Sequence, residues 1–348
     1  MRLATWEAIE MVKLNDLPEF DPGPKDVIID VGACGICGSD VHAYVEGAWT
    51  APGKPLGHEF AGTVSWVGAE VAGLSVGDRI AVNPAVPCGQ CARCQDGRFN
   101  LCNNRQGGGS GGFADRVLFT NGTVGRQLFV MPDDVSFEEA AFLEPLSVAA
   151  RAVDHAEIKL DEPVLVFGLG SIGACVLQVL LAQGAKDIIV VDTSEARREA
   201  ARKAGAHEVL DPIATDVVAH LLETRGTTTS PYQESGAIGS IIDSSGAVQV
   251  LPGALTLLRA AGTLSLVGLA SRDAAININD IVQKEIRVQG SFAYTPADCA
   301  YAADLIATKK VDLTPLVSHT FNLDDITEAF ETQRQTATSI KVMVSPTA

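Results

Sequence analysis

The chain has 348 residues, of which 47% are hydrophobic and 20% charged, and its formal net charge is −17. This composition is typical of a folded protein with room for two domains, and it excludes a disordered chain. The strong negative charge argues against nucleic acid and anionic membrane surfaces as partners.

The eight cysteines and the first residues bear on the cellular compartment. The sequence MRLATWEAIEMV has no basic segment followed by an apolar run, so we expect no secretory signal. In a reducing compartment, clustered cysteines indicate metal ligands before they indicate disulfides. We therefore expect a cytoplasmic protein whose cysteine clusters bind metal.

The first third of the chain is rich in short strand-like segments and turns. The segment DVIIDVGAC (26–34) alternates in polarity, and GHEFAGTVSWVGAEV (57–71) has short strands interrupted by glycine. Both patterns predict a compact, barrel-like β domain.

The middle of the chain alternates between apolar strands and helical segments. Such alternation predicts a doubly wound parallel sheet and therefore an α/β fold. The polar segment 224–236 is predicted to be a surface loop, and GGGSGGF (107–113) a flexible loop. After residue 291 we predict a helix over 296–309 and a final strand, IKVMV. The predicted strands of the sheet are 164–168, 187–192, 208–211, 240–245, 263–268 and 285–291, and the helices between them are 173–183, 195–204, 217–223 and 250–260.

The sequence GLGSIG has the G-x-G-x-x-G spacing, closes a predicted strand and opens a predicted helix. Glycines there permit close approach to a pyrophosphate, and the helix N-terminus offers free N–H donors. Asp192 ends the next predicted strand, where a carboxylate binds ribose hydroxyls and repels the 2′-phosphate of NADP. This pattern predicts NAD, although Arg197 and Arg198 weaken the preference, and a doubly wound sheet without a dinucleotide is the alternative. The candidate cofactor contacts are Gly168, Gly170, Ser171, Ile172, Gly173, Asp192 and Arg197.

Four cysteines form a C-x2-C-x2-C-x7-C pattern. Zinc prefers four thiolates in a tetrahedron, and short C-x2-C loops wrap it without strain. An iron–sulfur cluster is the competing interpretation, which the seven-residue gap and the lack of a following proline disfavour. The pattern offers no base and no open coordination position, so it predicts a structural zinc bound by Cys88, Cys91, Cys94 and Cys102.

A second, looser set of candidate ligands begins in the segment ACGICGSDVH. A thiolate from Cys37, the imidazole of His58 and the carboxylates of Glu59 and Glu144 suit a zinc ion that keeps one position open. Because Cys34 and Cys37 form a C-x-x-C pair, a redox pair or a second thiolate ligand is also compatible with the spacing.

Three polar residues follow Cys37 closely and suggest proton transfer. Ser39 can accept a proton from an alcohol, and His42 can pass it to solvent. Asp40 can orient the imidazole of a ligand histidine. Tyr44, Glu46 and Trp49 are candidate pocket residues, with ordinary packing as the equal alternative.

Taken together, these motifs match a known family. The chain resembles the zinc-dependent medium-chain alcohol and polyol dehydrogenases, and it is most similar to their butanediol and sorbitol dehydrogenase branch. The matching motifs span most of the chain in the family's order: CGICGSDVH (34–42), GHEFAGTV (57–64), VGDRI (76–80), the four-cysteine pattern, FLEPLSVA (142–149), GLGSIG and VDTSEAR (191–197).

The resemblance implies the domain organisation. A GroES-like β-barrel catalytic domain would cover 1–146, a Rossmann NAD-binding domain 147–290, and residues 291–348 would return to the catalytic domain. A homotetramer or homodimer, paired through the edge strand near 286–290, is also implied.

The resemblance also implies roles at the metal site. Cys37 would be the ligand of the catalytic zinc, and Cys34 would be a packing residue. The remaining ligands would be His58 and either Glu59 or Glu144. The catalytic residues would be Ser39, His42 and Glu59, with Val267 and Leu269 lining the cofactor face.

The implied activity is NAD-dependent interconversion of a secondary alcohol or vicinal diol and its ketone, with one catalytic and one structural zinc per chain. We expect 2,3-butanediol and acetoin first, with sorbitol-type polyols and L-threonine as alternatives. A zinc-free quinone or enoyl reductase is a rival that Cys37 and His58 disfavour. A non-catalytic zinc protein is a second rival, which Ser39, His42 and Asp192 disfavour.

Overall fold

The computed structural model describes residues 1–105, 111–229 and 234–346, so part of the predicted 107–113 loop lies outside the described residues. The chain divides into two compact units. The N-terminal unit comprises Met1–Ser147, Tyr294–Gln335 and Lys341–Ala348, and the central unit comprises Val148–Ala293 and Thr336–Ile340.

The described residues form eighteen strands and eleven α-helices. The strands are β1 (Arg2–Ala8), β2 (Met11–Asp16), β3 (Val27–Gly35), β4 (Lys54–Pro55), β5 (Glu59–Val67), β6 (Arg79–Val82), β7 (Arg116–Phe119), β8 (Leu128–Val130), β9 (Val164–Phe167), β10 (Ile188–Val191), β11 (Glu208–Leu210), β12 (Thr227–Thr229), β13 (Glu234–Gly236), β14 (Ile238–Asp243), β15 (Leu258–Leu266), β16 (Arg287–Gly290), β17 (Val317–Asn322) and β18 (Lys341–Ser345). The helices are α1 (Gly38–Glu46), α2 (Ala92–Gln95), α3 (Phe137–Ala141), α4 (Leu143–His155), α5 (Ser171–Gln183), α6 (Glu195–Ala204), α7 (Val217–Arg225), α8 (Leu251–Leu257), α9 (Ile278–Lys284), α10 (Pro296–Ala307) and α11 (Ile326–Arg334).

The N-terminal unit is built on a seven-stranded sheet with the order β17-β18-β3-β5-β6-β8, in which β7 also pairs with β3. Alternate residues of β3, namely Val27, Ile29 and Val31, are buried, as expected for a strand with one face on a core. Gly62 permits β3 and β5 to approach closely, because a Cβ there would lie 2.1 Å from the Asp30 carbonyl oxygen. A smaller sheet has the order β2-β1-β4.

The register of β3 and β5 determines where the metal-binding residues lie. These strands are antiparallel, and Gly35 at the end of β3 pairs with Glu59 at the start of β5. The segment that follows β3 and the segment that precedes β5 therefore emerge at the same edge of the sheet.

The central unit contains a six-stranded sheet with the order β11-β10-β9-β14-β15-β16, and every neighbouring pair is parallel. This is the doubly wound order in which the chain reverses direction across the sheet between β9 and β14. The carboxyl ends of those two strands form the crevice where such sheets bind ligands. The predicted combination of a β domain with a doubly wound parallel sheet is confirmed.

Two local predictions are wrong. The helix predicted to reach residue 260 ends at Leu257, because Leu258 already pairs with Ile238 as the first residue of β15. The predicted 224–236 loop contains the antiparallel pair β12–β13, whose β-branched threonines favour extended backbone, while residues 230–233 lie outside the described residues. Among the described residues, no helix combines the length and apolar character needed to cross a membrane.

Candidate active site

Three of the four predicted ligands of the second metal site lie together. Ligand atoms of Cys37, His58 and Glu59 are all within 4.8 Å of one another, whereas Glu144 is not part of this group. Cys37 immediately precedes α1, and His58 and Glu59 lie at the start of β5, so the shared sheet edge brings them together. Gly57 has a positive φ of 87°, which glycine adopts without strain and which turns the chain just before His58.

Asp40 connects the parts of this group. Its Oδ2 accepts a hydrogen bond from the Cys37 backbone N–H at 3.1 Å, and its Oδ1 lies 3.6 Å from His58 Nδ1. Burial alone would raise the pKa of Asp40, but the nearby His58 and backbone donors lower it below its usual range. Although burial opposes a charged ring, Asp40 and Cys37 raise the pKa of His58 well above its usual value. The site therefore has a negative potential that favours a bound cation.

Glu59 has an ionic partner that the sequence did not reveal. Lys341 Nζ lies 2.5 Å from Glu59 Oε2, and both side chains are almost fully buried, with exposures of 0% and 1%. The only indication in the sequence is a lysine within the apolar strand IKVMV. Glu144 lies further from the ligand group, and burial followed by the charge on Glu59 raises its pKa to about 7, against the effect of His58.

The three candidate proton-transfer and orienting residues all lie on α1. Ser39 and His42 are three residues apart and so share a helix face. The His42 side chain is 42% exposed, and its Nδ1 lies 3.2 Å from Glu46 Oε1. His42 therefore has access to solvent, as a terminal proton carrier requires.

The candidate pocket residues differ in their surroundings. Tyr44 is buried, packs on Phe330 with ring centroids 5.0 Å apart and donates to Glu331, so the packing interpretation is correct for it. Trp49 is 67% exposed and lies edge-on to the His42 ring at 6.0 Å. Trp49 remains a candidate contact for substrate.

The four-cysteine pattern forms a compact cluster around α2. The sulfur–sulfur distances are 3.6 Å for Cys91–Cys94 and Cys88–Cys102, 3.8 Å for Cys91–Cys102 and 4.0 Å for Cys88–Cys94. Zinc bound to sulfur at ~2.3 Å in a tetrahedron places neighbouring sulfurs about 3.8 Å apart. Hydrogen bonds from backbone N–H groups lower the pKa of Cys88 to about 6. The cluster thus fits a structural zinc.

The glycine turn joins β9 to α5 and packs against the end of β14. A Cβ at Gly173 would lie 1.9 Å from the Gly168 carbonyl oxygen, so only glycine fits there. A Cβ at Gly168 would lie 2.9 Å from backbone atoms of Ser245. The buried Ser171 hydroxyl has no hydrogen-bond partner within the described part of the chain, which leaves it available to a phosphate at the helix N-terminus. Gly168, Gly170, Ser171, Ile172 and Gly173 thus form the predicted turn between a strand and a helix, and their contact with a dinucleotide stays a prediction.

A cavity of about 780 Å³ opens beside this turn and contains the predicted ribose-binding acid. Asp192 Oδ2 accepts from the Leu169 N–H at 2.6 Å, and Oδ1 accepts from the Ser194 N–H at 2.7 Å. Arg197 also lines the cavity, with its guanidinium 3.8 Å from Asp192 and hydrogen bonds to the Ser339 carbonyl oxygen.

Several residues considered in the cofactor prediction do not line this cavity, namely Ser171, Ile172, Gly173, Arg198, Val267 and Leu269. Arg198 is buried and pairs with Asp211 at 2.9 Å. Val267 is half-buried, and the Leu269 side chain is 62% exposed. Contact of Val267 and Leu269 with the cofactor stays a prediction.

Comparison with known proteins identifies the family. Residues 23–131 match the family model described as "Alcohol dehydrogenase GroES-like domain", and residues 171–308 match "Zinc-binding dehydrogenase". The chain is 33% identical to a sorbitol dehydrogenase of Bacillus subtilis, covering 99% of this chain and 97% of the relative. It is also 33% identical to a D-xylulose reductase of Saccharomyces cerevisiae, covering 92% and 90%.

A solved structure agrees with these sequence relatives. The 2R,3R-butanediol dehydrogenase of Bacillus subtilis superposes with a TM-score of 0.86, 32% identity and coverage of 99% of both chains. Its likeness extends over the barrel-like unit and the parallel sheet alike, because almost the whole chain is covered. The chain therefore belongs to the zinc-dependent medium-chain alcohol and polyol dehydrogenase family, whose members are oxidoreductases that act on CH–OH groups.

Proposed function

We propose that this enzyme oxidises a secondary alcohol within a vicinal diol or polyol to the ketone, with NAD as the hydride acceptor and one catalytic and one structural zinc. The observation that carries this proposal is the group formed by Cys37, His58 and Glu59, adjacent in sequence to Ser39 and His42 on α1. A thiolate, an imidazole and a carboxylate leave the open coordination position that catalytic zinc sites keep.

The roles of the residues follow from their positions. A zinc ion held by Cys37, His58 and Glu59 would supply Lewis acidity toward the substrate hydroxyl, and bound NAD would supply the hydride acceptor. Ser39 accepts the hydroxyl proton and relays it to His42, which releases it to solvent. Asp40 holds the His58 ring in orientation through its Oδ1.

Substrate identity is proposed from the relatives. The butanediol dehydrogenase structure favours 2,3-butanediol and acetoin, and the sorbitol and xylulose enzymes favour sugar polyols. 2,3-Butanediol and the sugar polyols are vicinal diols, so we propose this class, with 2,3-butanediol first and sorbitol-type polyols second. L-threonine, a vicinal amino alcohol, is the third candidate. Initial rates of NADH formation on 2,3-butanediol stereoisomers, sorbitol, xylitol, L-threonine and simple secondary alcohols test the proposal. The proposal would be contradicted if no diol or polyol gave a measurable rate with either NAD or NADP.

The exposed edge of the central sheet supports a proposal on assembly. β16 is the outermost strand, so one side of it is free to pair with a second copy of the chain. We propose a homodimer through β16, alone or within a homotetramer, which light scattering in solution would measure. A cytoplasmic location is proposed because none of the eight cysteines forms a disulfide.

Replacing Ser39 with alanine should lower kcat about 100-fold, because the first proton acceptor is lost. Zinc content should remain that of the wild-type enzyme, since Ser39 is not a ligand. Metal analysis and steady-state rates check both parts, and Ser39→Thr, which keeps a hydroxyl, is the matched control. A kcat equal to that of the wild type would remove Ser39 from the relay.

Replacing Asp192 with asparagine should change the preference between the two cofactors. The variant loses the charge that repels a 2′-phosphate, and Arg197 remains 3.8 Å away to attract one. We expect the ratio of kcat/KM for NAD over NADP to fall by about 10-fold or more. Asp211→Asn, at the end of the neighbouring strand, is the control that should leave the ratio unchanged. An unaltered ratio in Asp192→Asn would show that this carboxylate does not select the cofactor.

A further inference from the structure

Lys341 is a buried cation beside a proposed zinc ligand. Its side chain is fully buried at the start of β18, and its Nζ contacts Glu59 Oε2 at 2.5 Å and the Ile36 carbonyl oxygen at 3.2 Å. Burying an ammonium group is costly unless it is paired and hydrogen-bonded. A lysine that lies directly against the carboxylate of Glu59 affects both the charge and the position of that carboxylate.

The backbone of β3 leaves space for this pair. Gly35 lies opposite Glu59 in the sheet register, and a Cβ at Gly35 would lie 2.4 Å from Glu59 Oε2 and 3.3 Å from Lys341 Cδ. Any larger residue at this position would displace the carboxylate from the lysine. Gly35, the Ile36 carbonyl and Lys341 therefore together define one location for Glu59 Oε2.

A positive charge at this distance opposes a dication held by the same carboxylate. The ammonium group of Lys341 donates to Oε2 of Glu59. It therefore offsets part of the negative charge that Glu59 contributes to the group with Cys37 and His58. The carboxylate is thus a weaker donor than a free glutamate in the same place. Weaker donation from one ligand lowers the affinity of the group for the cation, so the bound metal exchanges more readily.

We propose that Lys341 is a positioning residue that restrains Glu59, so that the catalytic metal is held less tightly and keeps an exchangeable position for substrate. This inference rests on the proposed function, because it assumes a metal at Cys37, His58 and Glu59. Lys341 acts through Glu59 and has no contact with substrate in this account.

The test compares the full-length wild type with Lys341→Met and Lys341→Arg after Co²⁺ replaces the catalytic zinc. Two quantities are measured: the visible absorption spectrum of the bound Co²⁺, which reports its ligands, and the rate at which a chelator removes it. Lys341→Met should release Co²⁺ about 10-fold more slowly than the wild type, because a repelling charge is gone and Glu59 can donate fully. Its spectrum should change, whereas Lys341→Arg, which keeps the charge, should resemble the wild type in both.

Gly35→Ala provides a second variant that keeps the lysine. Its Cβ would displace Oε2 from its position beside Lys341, so this variant should alter the spectrum of the bound Co²⁺ although the lysine is retained. If Lys341→Met does not fold, Gly35→Ala still tests the proposal.

The direction of the change in Co²⁺ release distinguishes positioning from simple structural support, because loss of a merely supporting residue would make release faster. Release of Co²⁺ from Lys341→Met that is as fast as from the wild type, or faster, overturns the inference alone, and so does an unaltered spectrum in Gly35→Ala. A wild-type enzyme that binds no metal beyond the four-cysteine cluster overturns the proposed function and this inference with it.

Discussion

Replacing Cys37 with alanine should reduce the rate of diol or polyol oxidation by about 10⁴-fold while leaving the fold intact. Cys37 is the only thiolate in the group with His58 and Glu59, and a dication loses much of its affinity with one charged ligand removed. Loss of the metal removes the polarisation of the substrate hydroxyl, which contributes several kcal/mol to lowering the barrier. Metal analysis should find one zinc per chain, retained in the four-cysteine cluster.

Cys34 offers a matched control for this prediction. It lies three residues earlier, is fully buried within β3, and burial raises the pKa of its thiol well above the usual value. Cys34→Ala should therefore keep both zinc ions and nearly all activity. If Cys34→Ala lost the catalytic metal, or if Cys37→Ala kept it, the assignment of the thiolate ligand would be wrong.

Replacing Cys94 with serine should destabilise the N-terminal unit strongly. Cys94 is buried, and its sulfur lies 3.6 Å from that of Cys91 and 4.0 Å from that of Cys88. Binding of a structural zinc contributes directly to the free energy of folding, and serine is a far weaker ligand than thiolate. We expect one zinc to be lost and the thermal midpoint to fall by about 10 °C or more, by calorimetry.

Cys175→Ala tests whether loss of any buried thiol has the same effect. Cys175 is fully buried on α5 and is not part of either candidate metal-binding group. This variant should keep both zinc ions and cost only about 1–2 kcal/mol of stability, the amount typical of a small core deletion. Equal zinc loss or equal destabilisation in both variants would contradict a structural zinc at the four-cysteine cluster.

The main features of the fold were predictable because they depend on local sequence patterns. Alternating apolar strands and helices predicted the parallel sheet, and the G-x-G-x-x-G spacing marked the turn between β9 and α5. The ends of helices and strands were harder to predict where long-range strand pairing overrides the local preference for secondary structure. The sequence predicts a helix that includes Leu258, but the pairing of Leu258 with Ile238 makes it a strand residue.

The metal sites differed in how far the sequence defined them. The four cysteines are close in sequence, so their spacing alone restricts them to one cluster. Lys341 is 282 residues from Glu59, and only the sheet order β18-β3-β5 brings their strands near. No spacing rule could reveal that pair, because it arises from tertiary structure. The same holds for Tyr44, whose burial against Phe330 depends on α11.

The most direct measurement is the initial rate of NADH formation from 2,3-butanediol, sorbitol and xylitol as a function of zinc content. The enzyme would be prepared with both zinc ions, then with the catalytic zinc removed, and then with zinc restored. We expect a rate on at least one of these substrates that disappears with one zinc per chain and returns when the second is added. A rate that does not depend on the second zinc, or a fully loaded enzyme without activity on any of the three, would contradict it.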